Sequence, residues 1–499
     1  MLDGLMLMLA PGSLLAILIG VLAGTLVGAL PGFTATMGTA LLLPLTFAMP
    51  VDQGLAMLGG LYVASMLADA IPACLVNIPG TPSAMATAFD GFPMTQRGEG
   101  QKAIVASSFS AMVGTFIGGF TFMFLTGPLT EVALRFGPPE FFWVGIFSLT
   151  IIGSISGDSL LKGIAGGLFG MLIGTIGISA TGAVSRYTFG LPDLRGGLNV
   201  VAGLIGVFAI PQVLTMVAER NQTATVGSYQ RIPGVATATV REILSRPVNL
   251  FRSSVIGALV GILPGAGSPV ASPLAYNEAK RWSRNKKAFG KGEVQGVVAS
   301  EAAGNAAAGG AMVPTLGLGI PGSAPAAVIL GSLLLHGVRP GPLLFQSQPA
   351  LVYGFAWAIV AAGILTFIIG SLMAGSLARM VLMPTRLLAP IVLFLSVAGS
   401  YAVRNSMVDL FMMLGLGILV FFLAKVGFHP APIGLGIILG PIVEPALVQA
   451  LAVARARPIL DVFFLGTVNI TIIVLTVASV SWIAFTNRKE GRERLAIPD

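Results

Sequence analysis

Two Pro-Gly signatures occur in this chain, and each occurs twice. Val27-Gly28-Ala29-Leu30-Pro31-Gly32 returns as Val260-Gly261-Ile262-Leu263-Pro264-Gly265. Asn77-Ile78-Pro79-Gly80-Thr81 returns as Gly319-Ile320-Pro321-Gly322-Ser323, with a second proline at matched distance before it, Pro72 and Pro314. Pro removes a backbone donor and Gly frees the backbone, so each site is expected to break a helix. All four lie in apolar sequence. In a bilayer, the polar backbone that a break exposes is tolerated only where protein covers it or water reaches it. Breaks at equivalent places in two halves point to the binding site of a transporter.

The apolar setting follows from composition. Of 499 residues, 55% are hydrophobic and 10% charged, with a mean hydropathy of +0.91. Soluble domains of this length lie well outside that range. Apolar runs of spanning length recur near 103–125, 199–217, 350–373 and 459–485. The expectation is an all-α polytopic membrane protein with about 10–12 membrane segments. The net charge of +8 does not argue for nucleic acid, because the basic residues sit in short connections, where they set topology. The N-terminus lacks a basic n-region and is expected to be retained. Cys74 is the only cysteine, which excludes an internal disulfide and a thiolate cluster. His336 and His429 are the only histidines, so a catalytic His or a His-rich metal site has little material, and no enzyme is expected.

The longest polar stretch, Glu219 to Arg252, carries Arg220, Arg231, Arg241, Arg246 and Arg252 and divides the chain. The organisation expected is a first membrane repeat at 1–218, a basic linker at 219–252, a second repeat at 253–487 and a basic tail at 488–499. A second basic loop holds Lys280, Arg281, Arg284, Lys286, Lys287 and Lys291. The positive-inside rule places linker, loop and tail in the cytoplasm. The element between linker and loop must then dip in, turn at Leu263-Pro264-Gly265-Ala266-Gly267 and return. In the first half, residues 14–30 and 34–48 are each too short for a comfortable span, which suits the same re-entrant hairpin. Spans at about 54–76, 103–125, 140–156, 160–180 and 199–217 then give the halves opposite orientation, an inverted repeat. The pairs of signatures are 48 residues apart in the first half and 57 in the second, so the repeat is diverged. Gly20, Gly24 and Gly28 fit small-residue helix packing, which Ala at Gly20 and Gly24 is expected to satisfy.

Charged residues inside apolar segments are costly and point to function. Asp69 stands just before the first Ile-Pro-Gly break. Glu301 and Asn305 share one helix face, surrounded by small residues. The alternative for Glu301 is a carboxylate at the cytoplasmic interface. Asp158, Asp409 and Glu444 lie near segment ends, where structural roles are expected. Around the breaks stand Gly32, Phe33, Thr34 and Thr36; Asn77, Gly80, Thr81 and Ser83; Gly265, Ala266, Gly267 and Ser268; and Gly322 with Ser323. Freed carbonyls, hydroxyls and a carboxylate make a hard oxygen site suited to Na⁺, with Asp69, Glu301 and Asn305 as ligands. Half-helix N-termini offer N–H groups to an anion. Local capping by the same Ser and Thr side chains is the simpler use for each one singly. A channel or an intramembrane lipid-modifying enzyme are the rival readings.

The chain resembles the large membrane subunit of bacterial tripartite tricarboxylate transporters. The resemblance is carried by Gly28-Ala29-Leu30-Pro31-Gly32 and by Asn77-Ile78-Pro79-Gly80-Thr81-Pro82 with Asp90-Gly91-Phe92-Pro93. It is carried above all by 257–342, with Ser300-Glu301-Ala302-Ala303, Gly317-Leu318-Gly319-Ile320-Pro321-Gly322-Ser323 and Gly337-Val338-Arg339-Pro340-Gly341-Pro342. Ser300 and Gly304-Asn305 depart from the family pattern, which has Pro before the Glu and paired Asn after it. The resemblance implies a secondary transporter of small di- or tricarboxylates such as citrate, a symporter driven by an Na⁺ or H⁺ gradient and needing no cofactor. It implies a small membrane subunit and a periplasmic binding protein as partners, in the lipids of a bacterial inner membrane.

Overall fold

The computed structural model describes the chain except Pro31, Gly80, 155–158, 180, 181, 183, 219–231, 381–384 and 496–499. Pro31, Gly80 and Asp158 thus lie outside the described residues, as do Glu219, Arg220 and Arg231 of the linker and the side chains of the basic tail. The chain is helical, and the strands among the described residues are two short ones, Gly177–Ile178 paired with Ser185–Arg186. Among the described residues, seven helices are long and apolar enough to cross a membrane by length and composition, and six shorter apolar ones accompany them.

Two compact units are present. The first takes Met1–Glu131 and Gln212–Val403; the second takes Val132–Pro211 and Arg404–Asp499. Each therefore draws on both halves of the sequence.

The four breaks and their duplicated frame lie in the first unit. Helix Pro11–Ala29 stops at Leu30, and Ala35–Thr46 begins after Gly32 and Thr34. Helix Pro247–Ile262 stops at Leu263, and Gly267–Trp282 follows. Gly32 and Gly265 take the same left-handed conformation, φ 79° and 82°. Leu30 N–H donates to Val27 O at 3.3 Å, and Leu263 N–H to Val260 O at 3.1 Å. A Cβ at either glycine would sit in a backbone region that L-residues rarely adopt.

The second signature repeats with the same fidelity. Asn77 and Gly319 are both left-handed. Ile78 N–H reaches back to Pro72 O at 3.3 Å, and Ile320 N–H to Pro314 O at 3.2 Å. Thr81 then starts Pro82–Gln96 by accepting from Ala84 N–H, as Ser323 starts Ala324–Leu335 by accepting from Ala326 N–H.

Helix packing is duplicated too. Pro11–Ala29 lies against Val51–Ala68 so closely that a Cβ on Gly24 would fall on Leu61 O, and one on Gly28 on Ser65 O. In the second half, Gly257 faces Ala303 O and Gly261 faces Ala307 O in the same way. Gly20 meets Met57 O. The expectation that Ala fits at Gly20 and Gly24 is therefore overturned: these backbones touch, and no methyl has room.

Three segment expectations also change. The first hairpin's leading arm is 19 residues, Pro11–Ala29, because Pro11 at the first helical position starts it early. Only its returning arm, the 12 residues of Ala35–Thr46, is short. The second hairpin has two arms of 16 residues, about 24 Å each against roughly 30 Å of hydrocarbon. In the second unit, the expected span 160–180 ends at Gly174 and turns into the short strand pair. The apolar run 459–485 is interrupted after Ile459–Phe464, where Gly466 takes φ 101° before Thr467–Leu495.

In the second unit a structural role holds for Glu444, whereas Asp409 Oδ2 is buried with no hydrogen-bond partner among the described residues. Arg186, on the strand pair, forms a bidentate ion pair with Glu444, its Nη2 lying 3.0 Å from Oε2. Asp409 lies in the first turn of Met407–Lys425, where its N–H is capped by Ser406.

In the first unit, the antiparallel arms of the second hairpin place the linker end and the second basic loop at the same open end. The start of Gly100–Ala133 is fastened there as well: Lys102 pairs with Glu242 at 2.9 Å, and Arg97 donates to Gly292 O at 2.6 Å.

Candidate functional site

Helix Val51–Val76 is interrupted at Asp69, whose side chain is 2% exposed. Its carboxylate accepts a hydrogen bond from Thr81 across the first Ile-Pro-Gly break. Thr81 thus does two jobs. Its oxygen caps Pro82–Gln96, and its proton goes to Asp69. Ser83 Oγ lies 2.6 Å from Thr81 Oγ1 and extends the polar cluster. Thr34 shows the capping use alone, accepting from Met37 N–H at 3.2 Å.

The long helix Val294–Gly317 carries the second carboxylate. Glu301 is 4% exposed, enclosed by protein. Its Oε1 accepts from Thr87 at 2.5 Å, and Thr87 meets Ser300 Oγ at 2.9 Å. The four-residue spacing works as expected: Asn305 Nδ2 donates to Glu301 O at 3.1 Å and to Glu301 Oε2 at 3.4 Å. Asn305 Oδ1 is buried with no hydrogen-bond partner. A buried amide oxygen left unpaired costs about 1–3 kcal/mol.

Asp69 and Glu301 lie within electrostatic reach of one another, and the buried Cys74 lies in the field of both. Among the described residues, neither carboxylate forms an ion pair with a Lys, Arg or His. Two close, buried acids without a counter-charge are strongly unfavourable unless a cation or protons compensate them. No three of His, Cys, Asp and Glu cluster as a metal site among the described residues. The donor set is instead carboxylate, hydroxyl and amide oxygen, the kind a hard cation takes.

The breaks of the second half meet each other. Gly265 N–H donates to Gly322 O at 2.9 Å. A Cβ on Gly267 would stand 3.3 Å from Ser323 Cβ. Ser323 Oγ lies 3.2 Å from Tyr62 OH, which ties this break to the first half. Ser268 donates to Gly304 O at 2.6 Å, one residue from Asn305, and Ala266 is buried at the turn. The structure thus gathers Gly265, Gly267, Ser268, Gly322 and Ser323 beside Val294–Gly317, and Asp69, Thr81 and Ser83 around the first break, where Asn77 is left-handed.

The first hairpin stands apart from these bonds. Gly32 neighbours Gln212, and Phe33 and Thr36 are buried. Among the described residues, no side-chain hydrogen bond joins Thr34 or Thr36 to Asp69, Thr81 or Glu301.

Three residues escaped the sequence reading. Tyr62 is buried in an apolar helix, and only its partner Ser323, 261 positions away, reveals its use. Thr87 stands one turn beyond Ser83, a spacing that signalled a shared face. Asp90, at the next turn, accepts from Tyr276 OH at 2.9 Å and from the N–H groups of Gly290, Gly292 and Glu293 at 2.7–2.9 Å. Gly290 and Gly292 are left-handed, which turns their N–H groups toward the carboxylate. Asp90 clamps the second basic loop onto the first repeat.

Residues 14–435 match the family model described as the tripartite tricarboxylate transporter TctA family. A protein of Agrobacterium vitis, described as an uncharacterized 52.8 kDa protein in the TAR-I ttuC' 3' region, is 31% identical over 447 residues, covering 90% of this chain and 88% of that one. A second from the same organism, described as an uncharacterized protein in the TAR-II ttuC' 3' region, is 37% identical over 199 residues, 40% of this chain and 82% of that one. No solved structure matches. The chain belongs to the tripartite tricarboxylate transporter TctA family.

Proposed function

We propose that this chain is the large membrane subunit of a secondary transporter that imports a small di- or tricarboxylate by alternating access, coupled to a cation gradient. It works with a small membrane subunit and a periplasmic binding protein in a bacterial inner membrane. Its linker, second basic loop and tail face the cytoplasm, and its repeats are inverted.

The observation that carries the reading is the pair of buried acids, Asp69 and Glu301, with the orphaned Asn305 Oδ1 one helical turn from Glu301. Na⁺ fits this donor set better than a proton does. A proton neutralises one carboxylate, but an amide oxygen gains little from it, whereas a cation uses all three groups. Bound there, Na⁺ would offset one of the two negative charges, leaving the second to a proton or a second cation. Thr81 and Thr87 orient the carboxylates, and the enclosing helices exclude water. The half-helix N-termini at Thr81 and Ser323 present N–H groups and positive dipole ends suited to a substrate carboxylate.

The test is uptake of a labelled carboxylate panel into vesicles holding all three components, with Na⁺ and pH gradients imposed separately. Uptake that follows the Na⁺ gradient supports the reading. Uptake driven by the pH gradient alone transfers the coupling role to protons. Downhill flux with no coupling to either points to a channel.

A further inference from the structure

The duplicated frame singles out two residues that the fold itself does not require. Aligning the hairpins at Pro31 and Pro264 sets Arg252 opposite Ile19, and Trp282 opposite Met49. The first hairpin forms with two apolar side chains at these places. The second carries a cation stacked on an indole, with Arg252 Cζ 5.8 Å from the Trp282 ring centroid.

Their surroundings are asymmetric in charge. Arg252 Nη2 donates to Asn249 Oδ1 at 3.0 Å, and Asn249 is held in turn by Gln295. Among the described residues, no carboxylate pairs with Arg252. Two acids at this end have partners other than Arg252. Glu278 takes Arg281 and the Trp282 N–H, and Glu242 takes Lys102. Arg246, Lys280 and Arg284 add exposed positive charge at the same open end of the hairpin.

Apolar surface runs away from this cluster. Phe251, Val255 and Leu259 are 54%, 49% and 57% exposed along one arm, and Trp282 is 70% exposed at the end of the other. A basic head group on an aromatic ring, above an exposed apolar stripe, matches a molecule with an anionic head and hydrocarbon tails. We propose that Arg252 and Trp282 seat the phosphate of an anionic phospholipid, whose acyl chains lie along Phe251, Val255 and Leu259. The seat fixes the base of the second hairpin to one leaflet; the first hairpin has no counterpart.

The test uses the purified full-length chain in neutral-detergent micelles and a fluorescent phosphatidylglycerol probe. Unlabelled phosphatidylglycerol should displace the probe, while phosphatidylcholine and glycerol 3-phosphate should do so at least about tenfold more weakly. Arg252→Gln should weaken probe binding about tenfold, the scale of one hydrogen bond to a charged group. Arg252→Lys should recover part of the loss, and Arg455→Gln, at an exposed arginine of the second unit, should change nothing. Trp282→Leu removes no charge and keeps the test open if Arg252→Gln does not fold. Equal competition by phosphatidylcholine would overturn the proposal, as would unchanged binding in both folded variants. Equal competition by glycerol 3-phosphate would make this a soluble-phosphate site. Displacement by the small membrane subunit, with no preference among lipids, would make the face a protein interface. None of these readouts depends on transport, so failure here leaves the proposed function standing.

Discussion

Asn77 and Gly319 hold the same left-handed backbone position in two copies of one motif, at φ 57° and 75°. Each precedes an Ile whose N–H reaches back six residues to a proline carbonyl. The bond ends one helix and aims the chain at the next N-terminus. Asn and Gly are the residues that tolerate this conformation, so their exchange is chemically readable. Asn77→Gly should therefore keep both fold and uptake. Asn77→Val should lose about 1–2 kcal/mol, the cost of forcing a branched residue into left-handed space. Gly319→Asn should be worse than the reverse exchange, because a Cβ there stands 3.1 Å from Pro340 O. Thermal unfolding of the three variants in one detergent checks the order.

The packing glycines give the opposite pattern to the one the sequence suggests. Gly24, Gly28, Gly257 and Gly261 each lie on a neighbouring carbonyl, so Ala forces rigid helices apart. Each Gly→Ala variant should lose on the order of 1–3 kcal/mol, the usual cost of overpacking. Gly32→Ala meets the movable ends of Gln212, at 3.2 Å, and Met216, at 3.9 Å, and should cost mainly its backbone strain. Gly98→Ala, with nothing within 4 Å, isolates that strain as a control. Equal melting temperatures for Gly24→Ala and Gly98→Ala would show that the helices are not in contact as described.

Asp90 should behave as a clamp rather than a transport residue. Asp90→Asn keeps an oxygen for the three N–H groups that Oδ1 takes, but it removes the negative charge and puts an NH2 donor where Oδ2 accepts the Tyr276 hydroxyl. The loop from Ser283 to Glu293 then loses charge-assisted bonds each worth about 1.5–3 kcal/mol. Trypsin should cut the variant faster at Lys286 and Lys287, which are exposed in that loop. Unchanged cleavage kinetics would place the loop's anchor elsewhere.

What the sequence made legible was local. The breaks follow from Pro and Gly acting on their own backbone, and the Glu301–Asn305 contact from helical spacing. What it left hidden was pairing at long range. Thr87 and Glu301 are 214 positions apart, and Asp90 and Tyr276 are 186 apart. No periodicity encodes such partners. Gly20 and Gly24 were misjudged for the same reason, since the room around a glycine depends on a neighbour that the local sequence does not name. The break at Gly466 was missed because no proline announces it.

The coupling residues should separate by chemistry. Asp69→Asn and Glu301→Gln each remove one of two close negative charges, so both should fold and reach the membrane, and both should raise the cation concentration for half-maximal uptake. Asn305→Leu removes the unpaired oxygen along with the amide that holds Glu301, and should do the same without a change in charge. Thr87→Val leaves a buried carboxylate oxygen without its donor and should cost about 1–3 kcal/mol of stability as well. Cation half-saturation measured on vesicles with matched protein content decides. Values identical to the native chain in Asp69→Asn and Asn305→Leu would remove both from the coupling site.

Topology is open to a direct measurement. The linker end and the second basic loop share the open end of a hairpin whose arms are too short to span, and both are basic, so both should be cytoplasmic. Cys74 is buried, which makes Cys74→Ala a quiet background. Ser245→Cys and Asn285→Cys then place one exposed thiol in each segment. An impermeant maleimide should label neither in intact spheroplasts and both in inside-out vesicles. Labelling of one from each side would mean that the element between them crosses the bilayer once. The second hairpin would then be a span, and the two repeats could not be inverted copies of one re-entrant design.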